Sequence, residues 1–493
     1  HPKADDVRLR LARQWIKSGD LLAAELLLAR LERSSEAGLR AAAVAELADL
    51  MVLTRQNDVA LRYYRKLADE YADVVCRDGP TGRQLFEQAA ATAPIREAIE
   101  LARPWPYGKA EISESQQRTN NQFISYRRVY SCEERQRTGP VLDALAVFYD
   151  QARNAILIQA GNGNVILNVS LGNHRLAAPD FSPAHFRLCG HLLVVSMGME
   201  VLAIDTLRGV GAVGKPADAI LWRHDLVRPN VAGNVYHTQL QIRKLPQPWG
   251  RNRLTFANAD QELVGVTGPL LDSGVFFLEG RTLVCADPLT GDTIWSRDGM
   301  PSGADLYGDG QWIFVAPPGG GVAQVFHALD GTPGEARPAE PLANRWATWG
   351  RHVLAWKTKA AENAAGTPGA NSEADDEQLA QLPRDVWLYD ALTGTEIWRE
   401  QLPALTRGTL VDGDELALLQ PDGRFVIRSL RGPELVLEAR LNPEENLRSV
   451  YVLRSQDQYL VATNHVEQTP ANNPPIQIRS ITGGGEVPLV TGQ

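Results

Sequence analysis

Motifs that carry chemistry are scarce in this chain. It holds no Gly-x-Ser-x-Gly elbow, no His-Glu-x-x-His and no phosphate-binding P-loop. Nine histidines are scattered rather than clustered; His185 and His191 flank Cys189 and read as ordinary core or rim residues. Only four cysteines occur (Cys76, Cys132, Cys189, Cys285), with no CxxC pair to suggest zinc or redox work, so they read as buried thiols that leave the compartment open. Basic residues are outnumbered, and the net charge of −9 argues against a nucleic-acid partner, which requires a basic surface. No apolar run approaches the ~18–20 residues needed to cross a membrane. Residue 1 is His and no signal peptide is visible, which suggests a processed product or a segment of a longer chain. Ala160-Gly-Asn-Gly-Asn reads as a hairpin turn, and Asp305 to Gly310 is at best a fragment of a calcium loop.

What is present is a repeat. Asp287-Pro-Leu-Thr-Gly-Asp-Thr-Ile-Trp295 returns as Asp390-Ala-Leu-Thr-Gly-Thr-Glu-Ile-Trp398. Each copy follows an apolar stretch and leads into another, which describes a β-hairpin. Gly291 and Gly394 supply the positive φ of the turn, and Asp287 and Asp390 bond its amides. Trp295 and Trp398 begin the next strand, placed to pack on a neighbouring unit. Weaker copies of the turn centre on Gly163, Gly209, Gly331, Gly432 and Gly483. The seven turns are separated by 46, 82, 40, 63, 38 and 51 residues. Insertions at about 228–259 and 357–383 account for the two long gaps, leaving the spacing of a four-stranded propeller blade.

These residues resemble the pyrroloquinoline-quinone-like β-propellers, whose blades carry Ala-x-Asp-x-x-Thr-Gly-x-x-x-Trp. Ala203 with Asp205 fits the pattern, Ala286 is one place off, and Trp222 reads as a displaced blade Trp. The resemblance implies a mainly β fold, a propeller of seven or eight blades over 103–493. Only ten residues follow Gly483, so the last blade is expected to be incomplete. The family includes the propeller lipoprotein of the outer-membrane barrel-assembly machinery, which implies an exported, periplasmic or cell-envelope location.

Residues 1–102 are a different material. Leu11 to Leu31 and Leu47 to Leu67 are Ala- and Leu-rich with helical periodicity and superpose at an offset of 36. They resemble tetratricopeptide repeats, with a capping helix expected from Gly82 to about Leu101; a plain helical hairpin is the alternative. The first insertion carries Arg228, Arg243, Lys244, Arg251 and Arg253 and no acid. The second carries Glu362, Glu373, Asp375, Asp376 and Glu377 in a loop expected to be disordered. Both read as solvated excursions, or the first as a basic partner-binding arm anchored by Tyr236, Trp249 and Phe256.

Dehydrogenases of this fold usually carry adjacent cysteines and calcium ligands beside a quinone, and neither can be assigned here. The resemblance therefore implies the scaffold: a non-catalytic protein-binding module with no cofactor, no metal and an unidentified protein partner. The alternative is a quinone-dependent oxidoreductase with diverged ligands.

Overall fold

The computed structural model describes residues 4–76, 79–102, 129–131, 133–138, 145–150, 153–159, 165–171, 185–208, 219–226, 241–249, 253–358, 382–443, 447–455, 458–465, 477–482 and 485–491. Six helices come first: α1 (Ala4–Ser18), α2 (Leu21–Leu31), α3 (Ala37–Leu53), α4 (Asn57–Glu70), α5 (Gly82–Ala90) and α6 (Ala93–Leu101). Successive helices pack on one another from α1 to α5, and α6 packs on both α4 and α5. Ala24, Ala41, Ala43, Ala48 and Ala60 are fully buried where the helices cross, small enough for close approach, and Leu28, Leu47, Met51 and Leu67 fill the remaining space. In place of one capping helix after Gly82 there are two. Pro94 lies in the first turn of α6, where a missing N–H costs nothing, and it could not have continued α5.

After the helices the described residues form six four-stranded antiparallel sheets, one five-stranded sheet and a two-stranded hairpin; the first seven are blades. Blade 1 contains Val129–Ser131, Ala146–Asp150, Ala155–Gln159 and Val165–Ser170. Blade 2 contains His185–Cys189, Leu192–Ser196, Glu200–Asp205 and Ile220–Asp225, with Glu133–Thr138 added in parallel to its first strand. Blade 3 runs Thr267–Leu271, Gly274–Glu279, Thr282–Ala286 and Thr293–Asp298. Blade 4 follows with Asp305–Gly308, Trp312–Ala316, Gly321–His327 and Arg337–Ala339. Blade 5 is Arg345–Trp349, His352–Thr358, Arg384–Asp390 and Glu396–Leu402; blade 6 is Arg407–Val411, Glu415–Leu419, Arg424–Ser429 and Leu435–Arg440. Blade 7 is Leu447–Ser455, Gln458–His465, Gln477–Thr482 and Gly485–Thr491. Its last strand corrects the expectation of an unfinished blade: seven residues already span about 23 Å at strand rise.

Second strands such as Leu192–Ser196 and Glu415–Leu419 are buried throughout, as strands covered on both faces must be. Fourth strands are mostly exposed: Thr293–Asp298 buries only Trp295, and Leu435–Arg440 buries no residue. Separate apolar clusters join blades 1 and 2, 2 and 3, 3 and 4, 4 and 5, 5 and 6, and 6 and 7. Each blade thus shares its core with its neighbours, the arrangement of a β-propeller.

The first insertion contains a hairpin, Gln241–Leu245 with Arg253–Ala257, that carries Arg243, Lys244 and Arg253. Phe256 on it is only 1% exposed and meets the His185 ring edge-on at 5.9 Å. Its role as a partner-binding anchor is therefore corrected: the ring already fills the core. Tyr236, Arg228 and Arg251 lie outside the described residues, as do Gly163, Gly209, Gly483, Cys132 and the acids of the second insertion.

Candidate functional site

The repeat signature builds one local structure several times. Asp287 Oδ1 accepts from the amides of Leu289 and Thr290, both at 2.9 Å, and Asp390 Oδ1 from those of Leu392 and Thr393 at 2.8 and 3.2 Å. Gly291, Gly331 and Gly394 close their turns at φ of 75°, 67° and 71°. Gly432, which precedes Pro433, does not take a positive φ. The strand after the turn begins with a register shift, at Cys285/Ala286 in blade 3 and Leu388/Tyr389 in blade 5.

That shift places the Trp on the next blade. Trp222 Nε1 donates to Pro288 O at 2.9 Å, Trp295 Nε1 to Ala328 O at 3.1 Å, and Trp398 Nε1 to Ser429 O at 2.9 Å. Pro288, Ala328 and Ser429 each stand three positions before the turn glycine of the following blade. The three indoles are 7% exposed.

A second polar centre joins the helices to blade 2. Its residues were not singled out together in the sequence, although a lone acid in the Leu-rich run Leu21 to Leu31 was a visible signal. Helix α2 is apolar nearly all round because it is covered on two sides. Ala24, Leu28 and Leu31 face the helical core; Leu21, Leu22 and Leu26 pack on Leu192, Val201, Leu207 and Trp222 of blade 2. Glu25 lies between these faces at 2% exposure. Its Oε1 stands 2.9 Å from His191 Nδ1, and its Oε2 accepts the His191 backbone N–H at 3.1 Å. His191 Nε2 reaches Gln56 Oε1 at 2.8 Å. The Thr54 hydroxyl donates to carbonyls of α3 and so accepts from Gln56 Nε2 at 3.0 Å, which turns Gln56 Oε1 toward the ring. Both ring nitrogens therefore face oxygen acceptors. Gly190 beside it sits at a φ of 54°, and a Cβ there would meet Glu25 Oε1 at 2.6 Å, so a larger residue would have to displace the carboxylate. Burial pushes the nearby Tyr63 phenol well up, and the charges of Glu32 and Glu25 add to it. At the edge of the same interface Arg33 Nη2 reaches Asp272 Oδ2 of blade 3 at 2.6 Å.

A third feature is a cleft of about 280 Å³ between the insertion hairpin and the first strands of blades 5, 6 and 7. Trp249 and Trp346 form its aromatic wall, ring centroids 4.4 Å apart, with Arg253, Arg407 and Arg448 around it. Arg384, wholly buried, lies over the Trp249 ring at 5.6 Å. Burial and the neighbouring Arg407 charge lower its pKa to about 10, and burial lowers that of Arg407 as well. Among the described residues no group of three or more His, Cys, Asp or Glu converges as a metal site, and no helix is long and apolar enough to cross a membrane.

The chain is thus a β-propeller carrying N-terminal helical hairpins. Residues 206–411 match the family model described as outer membrane protein assembly factor BamB, and this span contains the clear turn repeats. Among solved structures, BamB from Moraxella catarrhalis is 13% identical at a TM-score of 0.34, covering 67% of this chain and 82% of that one. The computationally designed Ika8 protein is 10% identical at 0.37, covering 73% and 87%. A europium-containing methanol dehydrogenase is 11% identical at 0.31, covering 65% and 71%. No curated protein matches the chain.

Proposed function

We propose that this protein is a non-catalytic protein-binding scaffold of the bacterial cell envelope, with the helical hairpins and the propeller offering joint interaction surfaces. The observation that carries the reading is where the repeat directs its polar atoms. The Asp287 and Asp390 carboxylates bond turn amides, and the Trp222, Trp295 and Trp398 indoles bond carbonyls of the next blade. The signature residues hold blades together and turn no reactive group toward a substrate. Trp295, Trp398, Gly291, Gly394, Asp287 and Asp390 are, in this reading, blade-docking and turn residues. A match over 206–411 to a family named for outer-membrane protein assembly supports the envelope location and a partner in that process.

Depletion of the protein tests this reading. It should lower the amount of folded β-barrel protein in the outer membrane, measured by heat-modifiable electrophoretic mobility, and crosslinking should recover the chain with assembly components. The opposing result is turnover: stoichiometric binding of pyrroloquinoline quinone with Ca²⁺ and dye reduction by an alcohol or sugar would replace the scaffold with an enzyme.

A further inference from the structure

The cleft between the insertion hairpin and blades 5–7 has a distinct chemical lining. Its described lining contains Arg253, Arg407 and Arg448 and no acidic residue. Arg407 is held in place by its own backbone surroundings: its Nε donates to Arg448 O at 3.0 Å and its Nη1 to Thr406 O at 3.2 Å. Trp249 is equally fixed. Gly408 passes so near that a Cβ there would meet Trp249 Cη2 at 2.6 Å, and Trp346 and Arg384 pack against the ring. The buried Trp249 Nε1 finds no acceptor among the described residues. A rigid aromatic wall with arginines on several sides suits an anionic guest with an apolar part. The volume suits one or two side chains and excludes a folded surface.

We propose that this cleft captures an acidic peptide segment of a partner protein, its carboxylates against Arg253, Arg407 and Arg448 and an aromatic side chain against Trp249 and Trp346. The proposal rests on the scaffold reading in taking the guest to be a protein. Guanidinium groups donate to carboxylates, and an arginine already held in place, as Arg407 is, loses little entropy in doing so.

The probe is a fluorescein-labelled Glu-Asp-Phe-Glu-Asp-Phe peptide, with its Gln-Asn-Phe-Gln-Asn-Phe analogue as control, titrated by anisotropy against the full chain. Saturable binding of the acidic peptide is expected, at least about tenfold tighter than that of the neutral one. Binding should weaken about tenfold between about 50 and 300 mM salt. Arg448→Gln, exposed and safe for folding, and Arg253→Gln should each weaken binding about fivefold or more. Equal binding of the two peptides, no saturation, or unchanged binding by both arginine variants overturns the proposal. So does tighter binding of free pyrroloquinoline quinone that the same variants abolish. The depletion assay above uses no peptide, so a normal loss of barrel protein alongside failed peptide binding would remove this site and leave the scaffold standing.

Discussion

The Trp295 indole of blade 3 lies against Gly331 of blade 4 so closely that a Cβ at residue 331 would stand 2.5 Å from Trp295 Cε3. Trp222 crowds Gly291 in the same way, at 2.7 Å, whereas nothing lies within 4 Å of Gly394. Blade 4 explains the exception: its last strand, Arg337–Ala339, brings no Trp to the turn of blade 5. The same turn glycine therefore meets two requirements in blades 3 and 4 and one in blade 5. Gly394→Ala should lose about 1 kcal/mol, the cost of a side chain at positive φ. Gly291→Ala and Gly331→Ala should lose about 1–3 kcal/mol more, because the neighbouring indole must move. Urea unfolding of the three variants checks the ranking, and equal losses would remove the steric explanation.

Trp295→Ala and Trp398→Ala should each cost about 3–5 kcal/mol, the range for deleting a buried aromatic. Each also leaves a carbonyl of the next blade, Ala328 O or Ser429 O, without its indole donor. Thermal melts followed in the near ultraviolet measure the loss. A Trp398→Ala protein that melts like the parent would refute the docking role.

Glu25 and His191 test the joint between helices and propeller. Removing either partner leaves the other polar group buried and uncompensated, so Glu25→Leu or His191→Leu should cost about 3–5 kcal/mol. The double variant should cost clearly less than the sum of the two, since neither member of the pair is then left facing a missing partner. Denaturant unfolding of the four proteins gives the coupling directly, and additive losses would show that the contact does not work as a pair.

Glu32 should make stability depend on pH. Burial is the largest cause raising its pKa above the ordinary 4.5, and Lys66, at 3.5 Å, offsets it only in part. The native state therefore binds the Glu32 proton more tightly than the unfolded chain does. The favourable contribution is complete below about 4.5 and is lost as pH rises through the native value. Glu32→Gln should accordingly be more stable than the parent at pH 7, with the gain vanishing as pH falls below that value. A gain that persists at pH 3 would point to another cause.

Cys285 is 1% exposed, and burial with the nearby Asp287 charge pushes its thiol up to about 12. Iodoacetamide at pH 8 should leave it unmodified in the native protein and label it fully in denaturant, as read by peptide mass spectrometry.

Much of the architecture was written in short-range pattern. Thr-Gly turns, apolar runs of five residues and the Trp that follows them identify hairpins of a repeated blade, because local backbone preference and strand-length burial decide those features. The helical segment declared itself by its period. Two local readings failed for equally local reasons: Pro94 divides the supposed capping helix, and the residues after Gly483 are enough for one more strand.

The sequence by itself therefore determined the kind of element, the repeat and the turn residues, all of which depend on neighbours in the chain. It could not pair Glu25 with His191, 166 residues away, or place Trp249 of the insertion on Gly408 of blade 6. Such pairings carry no periodicity, since each arises once, from how whole units pack. Phe256 shows the same limit from the other side: an aromatic in a basic loop reads as an exposed anchor, and only the packing of blade 2 against the hairpin buries it. Tertiary structure alone decided which charges are buried and which face a cleft, because burial and close approach belong to the assembled blades and not to any stretch of the chain.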